Sequence, residues 1–304
     1  MNQIYKIIRL GAFDFSLKMG IITLTTDMGL NDHYVASLKG SILKSIKDIH
    51  IVDISHNVKP FDINEAAYLL ASCFKEFPEN TVHIIGVDSE PIVNFSGSDG
   101  SFPSILIYKK QYFISNDNGF FGSFLKEEEA DSFWRIEDIL SNQKLFKFPT
   151  KNLLLTAGIS LIKGNKIETI ASPFKVYKKA FSPIAIIEKN LIKGYIIHID
   201  NYGNAITNIH KSFFERFGEE TSFTIYFKKK DYFINKVSNS YNEVPQGEKV
   251  ALFNENNYLE IAINRGANEN GGGAEKLFGL NINDIIRIEF TPQGSRETID
   301  SFFT

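Results

Sequence analysis

Apolar strand-like runs alternate with amphipathic helical runs in the first half of the chain, and this pattern limits the possible folds more than any other feature. Alternating strands and helices form largely parallel sheets covered by helices. The sequence therefore predicts an α/β domain with a mostly parallel, helix-covered sheet. Its predicted strands are residues 21–25, 50–54 and 81–87, its helices 34–46, 63–74 and 153–162, and a hairpin spans 104–115.

The pattern changes after about residue 182 to short apolar strands separated by turn residues at regular spacing. This spacing predicts a small all-β barrel or sandwich. We divide the chain into an N-terminal extension at 1–18, an α/β domain at 19–182 and a C-terminal β-barrel domain at 192–304. Residues 89–102, rich in Ser, Gly, Asp and Pro, are expected to form a loop.

Composition and charge exclude several classes of partner. The formal net charge is -3, with Lys and Arg spread along the chain, so a nucleic-acid partner is not expected. Cys73 is the only cysteine, which excludes a disulfide framework and fits a reducing cytoplasm. No apolar run approaches the roughly 20 residues that span a bilayer. We expect a cytoplasmic protein without a membrane partner.

The first candidate site follows the first predicted strand, in the segment Thr25-Thr26-Asp27-Met28-Gly29. Ligands of open α/β sheets bind at the carboxyl ends of the strands. The two oxygens of an ionised carboxylate can accept both hydroxyls of a ribose cis-diol, so Asp27 is a candidate ligand of a sugar. The alternative is that Asp27 caps a turn or a helix.

A second cluster, Asp53, Ser55 and His56, also lies at a predicted strand end. Asp, Ser and His together are typical of hydrolase triads or metal sites. Adjacency in sequence is weak support, and the alternative is that these groups form hydrogen bonds within a loop. A metal-dependent phosphoesterase using Asp27, Asp53 and His56 would lack further ligands, so we predict no metal and no cofactor.

A third group of polar residues opens the second domain. Tyr202 offers a stacking face, the Asn204 amide matches the donor and acceptor edge of adenine, and Asp200 can accept from an ammonium group. The alternative is an ordinary β-turn with polar side chains.

Together these segments resemble the S-adenosylmethionine (SAM) hydroxide adenosyltransferase family, whose relatives include the fluorinase and the chlorinase. The resemblance spans about residues 19–289, and several matches in the same order are more specific than any one of them. The matching segments are 25–35 (TTDMGLNDHYV), 39–40 (KG), 52–56 (VDISH), 77–83 (FPENTVH), 116–120 (NDNGF), 199–209 (IDNYGNAITNI) and 258–262 (YLEIA).

The resemblance implies a homotrimer that binds an adenosyl ligand at the subunit interface, between the α/β domain of one subunit and the barrel of its neighbour. By resemblance Asp27 binds the ribose diol, Asp200 the methionyl ammonium and Asn204 the adenine, with Tyr202 packed on the base. The implied reaction is attack of water or hydroxide on the ribose C5′, which releases adenosine and L-methionine.

The chain departs from the family at the groups that activate water, an Asp, an Arg seven residues later and a His. Asp88 matches the first, but Phe95 and Pro149 stand where the Arg and the His are expected. Loss of an acid–base group costs about 10²- to 10⁴-fold in rate. Thr150 is the remaining candidate for contact with a small nucleophile, so Asp88 and Thr150 are the predicted catalytic residues.

A further departure concerns the site for the methionyl carboxylate. Glu255 and Asn256 stand where halogenating relatives have Ser-Arg, and Glu255 would repel a carboxylate. Two hypotheses follow from these departures. The chain is either a SAM hydrolase that is slow or has an altered adenosyl substrate, or a catalytically inactive protein that binds or senses an adenosyl ligand.

Overall fold

The computed structural model describes residues 20–92, 100–136, 143–180, 183–218, 221–266 and 271–291. The chain divides into two compact units, Met1–Lys179 and Ala180–Thr304. The predicted extension at 1–18 and residues 93–99 of the predicted loop lie outside the described residues.

The first unit contains a seven-stranded mixed sheet with strand order β2-β1-β3-β5-β4-β6-β7. The pairs β2-β1, β1-β3 and β3-β5 are parallel, whereas the remaining pairs are antiparallel. The predicted α/β class is confirmed. Its elements are β1 (Gly20–Thr26), α1 (Tyr34–Ser45), β2 (Ile49–Ser55), α2 (Ile63–Ala71), β3 (Val82–Gly86), β4 (Pro103–Tyr108), β5 (Gln111–Asn116), α3 (Phe120–Leu125), β6 (Ser132–Arg135), α4 (Thr156–Ile162) and β7 (Ser172–Phe174).

Both faces of this sheet are covered by apolar side chains. Successive residues of a strand point to opposite faces, and Ile84 and Ile85 of β3 accordingly belong to two different core clusters. The cluster around Ile84 includes Leu38 of α1, and the cluster around Ile85 includes Leu70 of α2. This two-sided burial explains why the strands are apolar runs rather than alternating ones.

The second unit is a nine-stranded, nearly closed barrel-like sheet, which confirms the predicted all-β barrel. The segment Ala205–His210, which follows the polar residues Asp200, Tyr202 and Asn204, forms a strand whose Ala205, Ile206 and Ile209 are buried. The elements are β8 (Ile186–Glu188), β9 (Leu191–Ile199), β10 (Ala205–His210), α5 (Lys211–Phe214), β11 (Ser222–Phe227), β12 (Lys229–Ile234), β13 (Val237–Ser238), β14 (Lys249–Phe253), β15 (Tyr258–Ile263), α6 (Ala274–Phe278) and β16 (Ile285–Thr291).

The helices of the described residues are short. The longest, α1, has 12 residues, and none of the described helices combines the length and the apolar character needed to cross a bilayer.

A buried histidine connects β1, β3 and β5 of the first unit. His83 Nε2 lies 2.6 Å from Gln111 Oε1, and His83 Nδ1 lies 2.7 Å from Thr23 Oγ1. Gln111 Nε2 donates to the carbonyl oxygens of Phe74 and Phe77, so the Gln111 oxygen faces the imidazole. His83 therefore donates through Nε2 and accepts the Thr23 hydroxyl proton at Nδ1, which fixes a neutral ring.

Burial lowers the pKa of His83 from 6.5 to about 4, and the hydrogen bond with Gln111 offsets only part of this shift. Below pH 6.5 His83 becomes protonated in the unfolded chain, whereas in the folded chain it stays neutral down to about pH 4. We therefore expect this residue to remove about 3 kcal/mol of the free energy of unfolding as the pH falls from 6.5 to 4. His83→Gln should flatten this part of the profile in urea unfolding, whereas the exposed His50→Gln should not. Equal slopes for wild type and His83→Gln would contradict the assignment.

Candidate active site

The carboxyl ends of β1, β2 and β3 bring three predicted polar segments to one edge of the sheet. Thr26 pairs with Gly86, and Thr25 pairs with Ser55, so the strands end side by side. Asp27, His56 and Asp88 follow these strand ends directly. This is the edge at which α/β sheets bind their ligands.

The Asp27 carboxylate connects the turn after β1 with the loop after β2. Its Oδ2 accepts the backbone N–H of Phe61 at 2.9 Å, and among the described residues no donor contacts Oδ1. Gly29, whose φ is +64°, donates its N–H to the carbonyl oxygen of His56 at 2.7 Å. Asp27 therefore caps a loop rather than a helix, and one of its oxygens stays available to a ligand.

Phe61 is a candidate functional residue that the sequence analysis missed. Its φ is +66°, a strained value for a bulky residue, and 72% of the residue is exposed. Such strain is found mostly at functional sites. Its backbone N–H binds Asp27, so the exposed residue belongs to the same edge as the candidate carboxylate. An aromatic in the polar segment Lys59-Pro60-Phe61-Asp62 was the only available sequence signal.

Asp88 follows β3 with φ +45°, again in the left-handed region. Burial raises the pKa of its carboxyl, a hydrogen bond from Asn118 lowers it, and the charges of Asp27 and Glu90 raise it further. Asp27 and Asp88 follow strands that pair at Thr26 and Gly86, so both carboxylates belong to the same edge of the sheet. The Asn118 side chain, whose role the sequence analysis also missed, donates to the Asp88 carbonyl oxygen at 2.8 Å and so holds this backbone in place.

Thr150 is fully buried beneath this edge, at the start of a π-helical segment, Thr150–Leu155, that leads into α4. Its Oγ1 lies 2.8 Å from the Ser89 hydroxyl, which is half-buried and directly follows Asp88. Thr150 thus reaches the candidate site through Ser89. Lys151 points elsewhere and donates to Ser37 Oγ of α1 at 2.9 Å, while Phe95 lies outside the described residues.

The cluster of Asp53, Ser55 and His56 does not form a hydrolase triad with Ser55 as nucleophile. The Ser55 hydroxyl accepts the N–H of Asn57 at 3.1 Å, and His56 contacts Thr26 instead. Over the part of the chain that the structure describes, no three His, Cys, Asp or Glu side chains are grouped as metal ligands. The hydrogen-bonded loop was therefore the correct alternative for Ser55.

In the second unit the polar segment forms a turn closed by its own side chains. Asp200 Oδ1 accepts the N–H groups of Tyr202 and Asn204, each at 2.9 Å, and Asp200 Oδ2 accepts the Asn204 amide at 3.0 Å. Tyr202 is 61% exposed, whereas Asn204 is buried. The roles of these residues toward an ammonium group and adenine stay predictions.

A buried carboxyl and the turn after β14 are further polar features of the second unit. Tyr241 donates to the buried Glu260 at 2.6 Å. Burial raises the pKa of Glu260, and the Asp200 charge adds to this effect although the Tyr241 bond opposes it. Glu255 is exposed and Asn256 half-buried in the turn after β14. That turn is closed by Asn254, which accepts the Asn256 N–H at 3.0 Å.

The fold and this edge define a two-unit protein whose α/β unit presents paired carboxylates at the ends of parallel strands. Models of the SAM hydroxide adenosyltransferase N-terminal and C-terminal domains match residues 22–171 and 194–287, respectively. The chain belongs to the SAM hydroxide adenosyltransferase family.

Relatives within the family carry two kinds of name. An (R)-S-adenosyl-L-methionine hydrolase of Methanocaldococcus jannaschii is 34% identical over 200 residues, which cover 64% of this chain and 68% of the relative. A Thermus thermophilus protein of the same name is 24% identical over 80% of this chain and 91% of its own. A Nocardia brasiliensis fluorinase is 25% identical over 65% of this chain and 74% of its own.

Solved structures share the fold. An uncharacterized conserved protein from Thermotoga maritima superimposes with a TM-score of 0.73 at 24% identity, over 88% of this chain and 99% of its own. A conserved hypothetical protein from Thermus thermophilus gives a TM-score of 0.65 at 22% identity, over 90% of this chain and 100% of its own.

Gly86 and Thr150 pack so closely that a methyl group added at Gly86 would overlap the Thr150 side chain. A Cβ on Gly86 would lie 2.4 Å from Thr150 Cγ2 and 2.8 Å from Thr150 Oγ1. We expect Gly86→Ala to lower the free energy of unfolding by about 1–3 kcal/mol through overpacking. Thr150→Ala removes both atoms, so the double variant should be less destabilised than the sum of the single variants. Urea unfolding of all four proteins measures the coupling, and strict additivity would contradict the contact.

Proposed function

We propose that this protein hydrolyses S-adenosyl-L-methionine or a close adenosyl sulfonium to adenosine and L-methionine or the corresponding thioether. Membership of the family and the names of its hydrolase relatives support the substrate class. The observation that carries the proposal is the pair of neighbouring carboxylates, Asp27 and Asp88, at the ends of adjacent parallel strands.

In the proposed reaction a water oxygen forms a bond with the ribose C5′ while the bond from C5′ to sulfur breaks. The sulfur leaves with the electron pair as the neutral thioether, and the proton lost by water passes to Asp88. Since a sulfonium is already a good leaving group, the protein mainly orients and desolvates the water. A raised pKa makes the ionised Asp88 a better base for this proton.

Ser89 and Thr150 support the same role because two linked hydroxyls lie next to the proposed base. The half-buried Ser89 can contact the water, and Thr150 fixes its orientation. With Phe95 and Pro149 in place of the family's Arg and His, we expect slow turnover. A protein that binds or senses the ligand without turnover is the alternative outcome of the tests below.

For the ligand, we propose that Asp27 binds the ribose diol, Tyr202 and Asn204 contact the adenine, and Asp200 contacts the amine. Glu255 and Asn256 provide no cation for a carboxylate, which favours an altered aminoacyl chain. We also propose a cytoplasmic homotrimer with the site at the subunit interface and no metal or other cofactor. Light scattering of the purified protein tests the trimer.

Incubation of the purified protein with S-adenosyl-L-methionine should release adenosine and methionine in equal amounts. Asp88→Asn should lower kcat by about 10²- to 10⁴-fold, because the proton acceptor is lost. The rate should fall with decreasing pH at a midpoint above the usual range of a carboxyl, since only ionised Asp88 accepts the proton. Glu90→Gln, which removes a charge that raises this pKa, should stay active with a lower midpoint. Unchanged turnover in Asp88→Asn would refute the assignment, and binding without products would favour the sensor.

Asp27→Ala should weaken the binding of adenosine by about 100-fold, since the charge-assisted hydrogen bonds from the diol to the available carboxylate oxygen are lost. Calorimetry of adenosine and of 2′,3′-dideoxyadenosine separates this effect from general damage, because the analogue lacks the diol and should bind both proteins equally weakly. The exposed Asp48→Ala serves as the matched control. Equal adenosine affinity in Asp27→Ala and wild type would remove Asp27 from the site.

A further inference from the structure

A chain of four side chains runs from the surface of α1 to the turn that carries Asp27. Lys39 Nζ lies 2.5 Å from Asp53 Oδ2, Asp53 Oδ1 lies 3.1 Å from His56 Nε2, and His56 Nδ1 lies 2.8 Å from Thr26 Oγ1. The outer pair is partly exposed, with 34% and 38% of the side chains accessible, whereas His56 and Thr26 are buried.

The order of donors and acceptors along this chain is fixed by its charged end. Burial raises the pKa of Asp53, but the contacts with Lys39 and His56 outweigh this and lower it overall. An ionised Asp53 can only accept, and it faces His56 Nε2 at 3.1 Å, a close electrostatic contact that lies outside the geometry of a regular hydrogen bond. On the other side of the ring, Nδ1 and the Thr26 hydroxyl form a hydrogen bond of 2.8 Å. The carboxylate favours the tautomer that carries its proton on Nε2 and so leaves Nδ1 to accept from Thr26, as in other Asp–His pairs.

An Asp–His–Thr arrangement is also the order of a nucleophilic triad, but Thr26 cannot act as a nucleophile. Its side chain has no accessible surface, and its Oγ1 lies 3.5 Å from the N–H of Met28. A group that never contacts solvent cannot reach a substrate atom. The chain of contacts therefore acts on the backbone around Asp27 and not on a bond of the ligand.

His56 contacts the segment around Asp27 at two points on either side of the carboxylate. Its ring contacts Thr26, one residue before Asp27, and its carbonyl oxygen accepts the N–H of Gly29, two residues after Asp27. The loop that follows His56 supplies the Phe61 N–H to Asp27 itself. A displaced imidazole would release Thr26 directly. It would loosen the Gly29 and Phe61 contacts only indirectly, by shifting the backbone of His56 and the loop that follows it.

We propose that His56, oriented by Asp53 and Lys39, is the positioning residue that holds Asp27 in its ligand-binding geometry through Thr26. This inference rests on the proposed role of Asp27 toward the ribose diol. In this view Asp53 and His56 contribute to ligand affinity, whereas Asp88 accepts the proton of the reaction. Changes along the chain of contacts should accordingly alter KM and adenosine affinity far more than kcat.

Two isosteric substitutions separate the two sides of the imidazole. The amide of His56→Asn reaches the place of Nδ1 and can still contact Thr26, whereas the amide of His56→Gln reaches the place of Nε2 and contacts only Asp53. We expect His56→Asn to bind adenosine within about threefold of the wild-type affinity. His56→Gln and His56→Phe should bind about tenfold more weakly, which is the effect of one lost hydrogen bond.

Lys39→Met should weaken adenosine binding by about twofold to threefold. The exposed His50→Gln and Lys44→Met are the matched controls and should behave as wild type.

Hydrogen exchange of the Gly29 and Phe61 amides gives a readout that needs no ligand. Both amides should exchange about tenfold faster in His56→Gln, and at nearly the wild-type rate in His56→Asn. Equal effects of Asn, Gln and Phe, or affinity and exchange within twofold of wild type in His56→Gln, would overturn the proposal. If wild type binds no adenosine, the proposed function fails, and the exchange rates alone still decide whether His56 holds the turn.

Discussion

Parallel pairing of β1 with β2 and β3 is the constraint on which the candidate site depends. Parallel strands end at the same edge of a sheet, so Asp27, His56 and Asp88 meet although up to 61 positions separate them along the chain. An antiparallel neighbour would place the following loop at the opposite edge. The antiparallel half of the sheet, β4, β6 and β7, contributes instead to the burial of the parallel half.

Two buried histidines of the first unit show how the same residue type serves different ends. His83 and His56 each contact a threonine hydroxyl of β1, namely Thr23 and Thr26. The second nitrogen of His83 faces a neutral amide in the core, whereas the second nitrogen of His56 faces the partly exposed carboxylate of Asp53. The first environment stabilises the sheet, and the second connects the surface of α1 with the turn at the sheet edge. The two histidines thus differ in the group that faces the second ring nitrogen, which is Gln111 for His83 and Asp53 for His56.

Two residues of the candidate site have strained backbones. Phe61 and Asp88 both adopt positive φ values, which cost free energy in residues with a Cβ. In return the strained Phe61 directs its amide toward Asp27, and Asn118 holds the backbone of Asp88. The departures from the family at Phe95 and Pro149 fall on positions that activate water in the family. The residues proposed to bind the ligand are thus better retained than those proposed to activate water.

The sequence by itself determined the class of the fold, the order of the main elements and the strand-end positions of Asp27 and His56, because strand and helix periodicity and family motifs are local signals. Asp53, expected at the same strand end, lies inside β2. It did not determine β10, in which Thr207 and Asn208 stand between the buried Ala205 and Ile206 and the buried Ile209. Only the tertiary structure decided that Ser89 contacts Thr150, that Phe61 is exposed beside Asp27, and that His56 contacts Thr26 rather than Ser55. These contacts join residues 30 to 61 positions apart, and such distances are fixed by strand register and loop geometry rather than by local composition.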